Sequence, residues 1–345
     1  MANPKFILSK SALLNQVKKL TDLGLGVSYS YKTNRKVGEI LQDLSPEVDY
    51  SIHAFEEIED IKDKSKIHFF TQAELEKDLK KILELGVRSF VVDNEVDFKR
   101  LLKVIEEENI KINLSLRMKF QEHRVGTGKY FVYGMPSSIV NNLIKEISDH
   151  ELIDNLGIHL HRKSQNTSEW EIVEELEDSI DKENLERLDF LNLGGGLPSI
   201  YRSSSVDVFS YVFEKLKKAK EWLENKNIKT LIEPGRFLAA PCVKLETEII
   251  QKYENNLIVN TTIYNCAVDN VLTSTKMLIE GELESGGKEF LIKGNSPTRD
   301  DIFRYKVRLS EDIKVGDKIV FLNAGAYNYT TDFFGYKKLE TEVLE

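Results

Sequence analysis

Between residues 25 and 240 the chain alternates, eight times over, a short apolar run with a longer stretch of helical periodicity. The runs fall at 26–31, 48–53, 66–70, 88–92, 111–117, 156–161, 188–193 and 230–233. Between them, Phe98, Leu101, Leu102 and Ile105 keep the i, i+3, i+4, i+7 spacing of one helical face. Phe209, Val212, Phe213 and Leu216 repeat that spacing before the eighth run. A strand followed by a helix, repeated, makes parallel strands with crossover helices. Eight of them predict an α/β fold, a TIM (β/α)8 barrel rather than an open sheet.

The pattern changes after Ala240. Residues 243–250, 257–264, 289–293 and 318–322 read as strands with no long helix between them. This is a C-terminal β-domain, and residues 5–8 read as an N-terminal strand that joins it. The expected organisation is 1–24 as strand and helix joining the β-domain, 25–240 as the barrel, and 241–345 as the β-domain. The mixed-charge stretch 337–345 reads as a solvated end.

Four motifs sit at the ends of the barrel runs. Tyr29-Ser30-Tyr31-Lys32-Thr33-Asn34 closes the first, and His159-Leu160-His161-Arg162-Lys163-Ser164-Gln165 the sixth. Gly194-Gly195-Gly196 follows the seventh, and Glu233-Pro234-Gly235-Arg236 the eighth. All four fall at the C-terminal face, where barrel enzymes keep their sites, and the loops after strands seven and eight are a frequent phosphate site.

A lysine on an apolar strand end is either a snorkelling surface residue or an amine whose desolvation lowers its pKa and frees it to form a Schiff base. Three glycines let backbone N–H groups approach an anion closely, though alone they are also an ordinary turn. Arg236 adds a fixed cation. Glu233 is either a helix-capping acid or a carboxylate facing a ring nitrogen. Alternation sends His159 and His161 to one face. His161, nearer the strand end, is the better residue to stack on a planar ring, and His159 is as well explained by a supporting role. Ser164 and Gln165 are candidate phosphate or substrate contacts. Together these residues supply an amine, a ring partner, a nitrogen partner and a phosphate cradle, the requirements of pyridoxal 5'-phosphate.

Composition bounds the partners. The chain has 345 residues, 41% hydrophobic and 30% charged, with net charge −9. That charge argues against nucleic acid or an anionic membrane, and the apolar runs are too short to span a bilayer. Met1-Ala2-Asn3-Pro4-Lys5 leads straight into Phe6-Ile7-Leu8, too short for a signal-peptide core, which predicts a cytoplasmic protein. Cys242 and Cys266 have neither metal-ligand nor disulfide spacing and read as buried thiols; no metal is expected.

The motifs resemble those of the fold-type III pyridoxal-phosphate-dependent amino-acid decarboxylases, the group of ornithine, diaminopimelate and carboxynorspermidine decarboxylases, over nearly the whole chain. The resemblance implies an alanine-racemase-like barrel followed by a β-domain. It makes Lys32 the Schiff-base lysine, His161 the ring-stacking residue, and Glu233 the partner of the pyridine nitrogen. Ser164, Gly194, Gly195, Gly196, Gly235 and Arg236 become phosphate contacts. Gly325-Ala326-Tyr327 is similar to the family's C-terminal Gly-Ala-Tyr, whose tyrosine reaches the phosphate. Arg117 resembles the arginine supporting the site from strand five, and Glu57 falls in a segment resembling the second-strand loop. A homodimer with shared active sites is implied.

The chain departs from the family at telling places. The segment that elsewhere carries a proton-donating cysteine reads Ser296-Pro297-Thr298-Arg299-Asp300-Asp301, with Arg299 in the cysteine's place. Arginine keeps its proton and is a poor acid, so protonation falls to Lys32, His161 or water. Lys163 replaces a glycine, and Phe303 stands where a later aspartate is expected. Arg299, Lys163 and Asp300 are the candidate substrate contacts. The reading is an amino-acid decarboxylase acting on an amino acid or its conjugate in a specialised biosynthetic pathway. The alternatives are a pyridoxal-phosphate racemase, which Glu233 disfavours, and a catalytically silent regulatory homologue.

Overall fold

The computed structural model describes residues 2–119, 133–202, 208–328 and 330–345. Strands β1 (Lys5–Ser9), β2 (Gly26–Ser30), β3 (Asp49–Ile52), β4 (Ile67–Thr71), β5 (Ser89–Val92), β6 (Ile112–Met118), β7 (Ile153–Leu160), β8 (Phe190–Asn192) and β9 (Lys229–Ile232) come first. The eight from β2 to β9 pair in chain order, all parallel, and close into a barrel. Closure is made by β9 against β2, with Gly26 opposite Leu231 and Val27 opposite Ile232. Each of the eight apolar runs read from the sequence thus overlaps a barrel strand, four of them (β4, β6, β7 and β9) running past the expected bounds.

The helices form as their sequences dictate. Asn94 caps Glu95–Glu108, its Oδ1 accepting the N–H groups of Val96 and Asp97 at 2.9 Å. Glu95 and Asp97 favour the positive helix start, and Asn109 ends the helix in the left-handed region at φ 50°. The buried face is Phe98, Leu101, Val104 and Ile105, which packs on the barrel.

The remaining strands are β10 (Val243–Tyr253), β11 (Asn256–Val259), β12 (Leu278–Ile279), β13 (Lys288–Lys293), β14 (Ile302–Leu309), β15 (Lys318–Leu322) and β16 (Glu340–Leu344). They form a mixed sheet in the order β12-β15-β10-β11-β13-β14, and β1 pairs both β10 and β16. The N-terminal strand joins the β-domain as expected. Two sequence expectations are corrected. Residues 257–264 are not one strand: β11 stops at Val259, and Thr262 and Asn265 form a capping box for the short helix Ile263–Cys266. Residues 337–345 are not merely a solvated end, since β16 runs parallel to β1, pairing Lys5 with Glu340 through Ser9 with Leu344. Among the described residues, no helix is long and apolar enough to cross a membrane.

Candidate active site

The C-terminal mouth of the barrel opens into a cavity of about 500 Å³. Its lining includes Lys32, Arg117, His161, Ser164, Gly195, Gly196, Glu233, Gly235, Arg236 and Tyr327. Residues from five different strand ends and from the β-domain therefore converge on one space.

Lys32 sits in the turn Tyr31–Thr33 that follows β2. It is exposed and lines the cavity. The enclosing walls desolvate the ammonium and lower its pKa; Arg117 pushes the same way, against Glu233 and Glu57. Asn34 fixes this turn: its Oδ1 accepts the Val37 N–H at 3.2 Å, capping the helix Arg35–Leu44, while its Nδ2 donates to the Gly325 carbonyl at 2.8 Å. Tyr327 N–H donates to the Thr33 carbonyl at 3.0 Å. The β-domain thus docks its Gly-Ala-Tyr directly onto the loop carrying Lys32.

Glu233 follows β9 and is 4% exposed, a carboxylate inside the barrel mouth. Ser51 Oγ donates to Oε1 at 2.7 Å, Asn192 Nδ2 to Oε1 at 2.9 Å, and His159 Nε2 to Oε2 at 2.9 Å. Burial would raise its pKa, but the His159 imidazole and the bonds from His159 and Ser51 outweigh it and hold the carboxylate ionised. His161 lies parallel to His159, centroids 6.5 Å apart, as strand alternation expects. Burial takes both His161 and His53 down to about 3, so both are neutral. His53 stacks on Phe70 at 4.5 Å, and both line the cavity.

Arg236 is 4% exposed and clamped by Asp269 through two bonds of 2.6 and 2.9 Å. Nη1 also donates to Tyr201 Oη at 2.9 Å, Nε to Ser164 Oγ at 3.3 Å, and the Tyr327 ring lies 5.1 Å from Cζ. Gly194 and Gly196 have φ 67° and 104°. A Cβ on Gly194 would stand 1.8 Å from the Leu160 carbonyl oxygen, so the β8 loop packs on the end of β7 as only glycine permits. Arg117 is held by Asp93 at 2.8 Å and lies over the Tyr133 ring at 5.2 Å. Glu57 accepts the His53 N–H at 3.2 Å, beside the site rather than lining it.

The three substrate candidates do not line this cavity. Lys163 is exposed and lies 3.6 Å from Glu169. The Arg299 and Asp300 side chains are 96% and 81% exposed, on the β-domain surface. Phe303 is core, stacked on Phe321 at 4.8 Å. Sequence reasoning missed Ser51, Asn192, His53, Phe70 and Asp269. For Ser51 the signal was present: Asp49, Ser51 and His53 alternate along one face of a strand read only as apolar. Asp269 carries no motif.

The profile described as "Pyridoxal-dependent decarboxylase, pyridoxal binding domain" matches residues 16–240. The chain belongs to the pyridoxal-dependent decarboxylase family. It is 27% identical over 201 residues to diaminopimelate decarboxylase of Vibrio cholerae, covering 54% of this chain and 47% of that protein. It is 23% identical over 266 residues to the enzyme of that name from Pseudomonas aeruginosa, covering 71% and 63%. The chain thus spans about half to three-fifths of the length of these curated relatives. In fold it is similar to diaminopimelate decarboxylase of Helicobacter pylori complexed with L-lysine, with TM-score 0.82, 18% identity, and 100% and 92% of the two chains covered. Lysine/ornithine decarboxylase of Vibrio vulnificus complexed with cadaverine gives TM-score 0.80 and 19% identity, covering 99% and 95%.

Proposed function

We propose that the chain is a pyridoxal-5'-phosphate-dependent decarboxylase of an amino acid or amino-acid conjugate. The observation that carries this is an ionised, buried Glu233 lining the same cavity as a desolvated Lys32 and an anchored Arg236. The residues suit the cofactor. Glycines 195, 196 and 235 line the cavity together with Arg236 and Ser164, and the cavity is of ligand size. Lys32 would hold the group covalently, since its lowered pKa leaves more of the amine neutral and nucleophilic. His161 would stack on its ring, and Glu233 would partner its nitrogen. Ser164, Gly195, Gly196, Gly235, Arg236 and Tyr327 would receive the phosphate; Gly194, expected from the sequence to join them, does not line the cavity, and its N–H is taken by Asn192 Oδ1.

The chemistry this group would supply when bound is an electron sink for the bond to the departing carboxylate. Glu233 favours that by remaining a charged acceptor. Arg117, fixed by Asp93, keeps a positive charge on the cavity wall. No thiol of this chain returns the proton: Cys242 and Cys266 are buried outside the cavity, and burial pushes each up to about 12. Arg299 and Asp300 bind substrate in the site of a second copy, which makes a homodimer the working unit; their exposure away from their own cavity suits that arrangement. Lys163, exposed on the β7 loop, is assigned to the substrate entrance.

The test loads the protein with pyridoxal phosphate and offers a panel of D- and L-diamino acids, acidic and conjugated amino acids. Carbon dioxide release supports the proposal; loss of optical activity without it supports the racemase. Borohydride reduction and peptide mapping should label Lys32, and labelling of another lysine would overturn that assignment.

A further inference from the structure

The donors around Glu233 each have a fixed direction. Asn192 Oδ1 accepts the Gly194 N–H at 2.9 Å, so only its amide NH2 can face Glu233. Ser51 has one proton and gives it to Glu233; Ser28 Oγ, 2.8 Å away, therefore donates to Ser51. His159 faces an acceptor-only carboxylate, so Nε2 carries its proton. Its Nδ1 is buried with no hydrogen-bond partner among the described residues. A second proton there would be an orphaned donor, beside a Phe70 ring packed edge-on at 5.0 Å. Burial lowers the His159 pKa against the pull of Glu233, and the imidazole is neutral.

A carboxylate offers about four lone-pair positions, two on each oxygen. Oε1 has used both, on Ser51 and Asn192. Oε2 has used one, on His159. The open position of a carboxylate lining the cavity is therefore on the oxygen His159 already holds.

We propose that His159 is a positioning residue that sets the basicity of Glu233 toward a cationic donor in the cavity, by sharing Oε2 with it. This rests on the assignment of Glu233 to the pyridine nitrogen. Every hydrogen bond a carboxylate accepts makes it a weaker base. With His159 on Oε2, a proton between ring and carboxylate stays on the nitrogen. Without it, Oε2 becomes more basic, the side chain loses a rotamer restraint, and the proton passes to the carboxyl group. The other charges around the pair are Lys32, Arg117 and, behind Arg117, Asp93, with His53 neutral; no second hydrogen bond reaches Oε2 among the described residues. The end of strand β7 thus carries His159, which governs the charge state at Glu233, and the residue just past the strand is His161, the one assigned to stack on the ring.

The test binds pyridoxal phosphate labelled with nitrogen-15 in the ring and reads its chemical shift by NMR. The wild type should show the shift of a protonated ring. His159→Phe, which fills the volume without a donor, should move it toward the neutral ring. His159→Leu carries the same expectation should Phe disturb packing. His159→Gln, long enough for its amide to reach Oε2, should restore the protonated shift. Glu233→Gln is the reference and should lose the ring proton. If Glu233→Gln shifts the resonance while the Phe and Leu variants match wild type, His159 has no such role. If Glu233→Gln leaves the resonance unchanged, the assignment of Glu233 fails and this proposal with it.

Discussion

Asp269→Leu isolates the energetics of the clamp on Arg236. The two side chains are 4% and 2% exposed and joined by two hydrogen bonds. Removing one partner of such a buried pair costs about 3–5 kcal/mol, chiefly because the remaining charge stays buried and unpaired. After the change Arg236 keeps, among the described residues, hydrogen bonds to Tyr201 and Ser164 and the Tyr327 ring, all neutral. Arg236→Met leaves Asp269 with the Thr273 hydroxyl at 2.9 Å, and should cost a similar amount. The double variant removes both charges and fills the space with apolar groups. Its loss should be far smaller than the sum of the two single losses and no larger than either. Urea unfolding of the cofactor-free protein, followed by circular dichroism, measures all three. Additivity of the two losses within about 0.5 kcal/mol would refute the reasoning, since it would mean the residues act independently.

Other outcomes follow from the same geometry. Because His53 and His161 are neutral in the fold, down to about 3, and charge on unfolding below about 6.5, their contribution is complete above that value and is lost as pH falls toward 3. Urea midpoints should therefore drop between pH 6.5 and 4.5, and His161→Gln should flatten that slope; an unchanged slope would remove His161 from the account. The thiols have the opposite sign: with pKa values pushed up to about 12, their contribution holds below about pH 9 and fades above it, and a thiol reagent at neutral pH should label neither cysteine until urea is added. Gly194→Ala combines φ 67° with a 1.8 Å approach to backbone, so it should cost more than the roughly 1–2 kcal/mol of left-handed strain alone; Gly281→Ala, φ 75° in open space, should cost only that strain, and equal losses in urea unfolding would contradict the close approach. Mixing inactive Lys32→Ala and Asp300→Ala chains should restore part of the decarboxylation, and no recovery despite sedimentation showing mixed dimers would end the shared-site assignment.

The barrel was legible because its signal is local. Each strand is a short apolar run, each helix keeps one face, and eight repeats leave few topologies. The β-domain was less so. β16 (Glu340–Leu344) is charged and largely exposed, and only its ladder to β1 makes it a strand. Residues 257–264 look uniformly strand-like, yet the capping box at Thr262 ends the run. In the site, Lys32, His161, Glu233 and Arg236 announced themselves through strand-end motifs. Asp269 and Asn192 did not, because their importance lies in which buried charge they face, and that pairing exists only once distant segments meet. Arg299 and Asp300 illustrate the converse: a sequence position suggests a substrate contact, yet both side chains lie exposed outside their own cavity.

β1 lies between β10 and β16, so its two neighbours are the segments 243–253 and 340–344. The whole barrel is an insertion between the first strand of the sheet and its partners. As the chain leaves the ribosome, β1 has no strand to pair with until the eighth barrel strand has already passed. The contacts from Gly325 and Tyr327 to the Lys32 loop come later still. Vectorial synthesis therefore closes the barrel before its mouth is finished, and the rim of the cavity is assembled by some of the longest-range contacts in the fold.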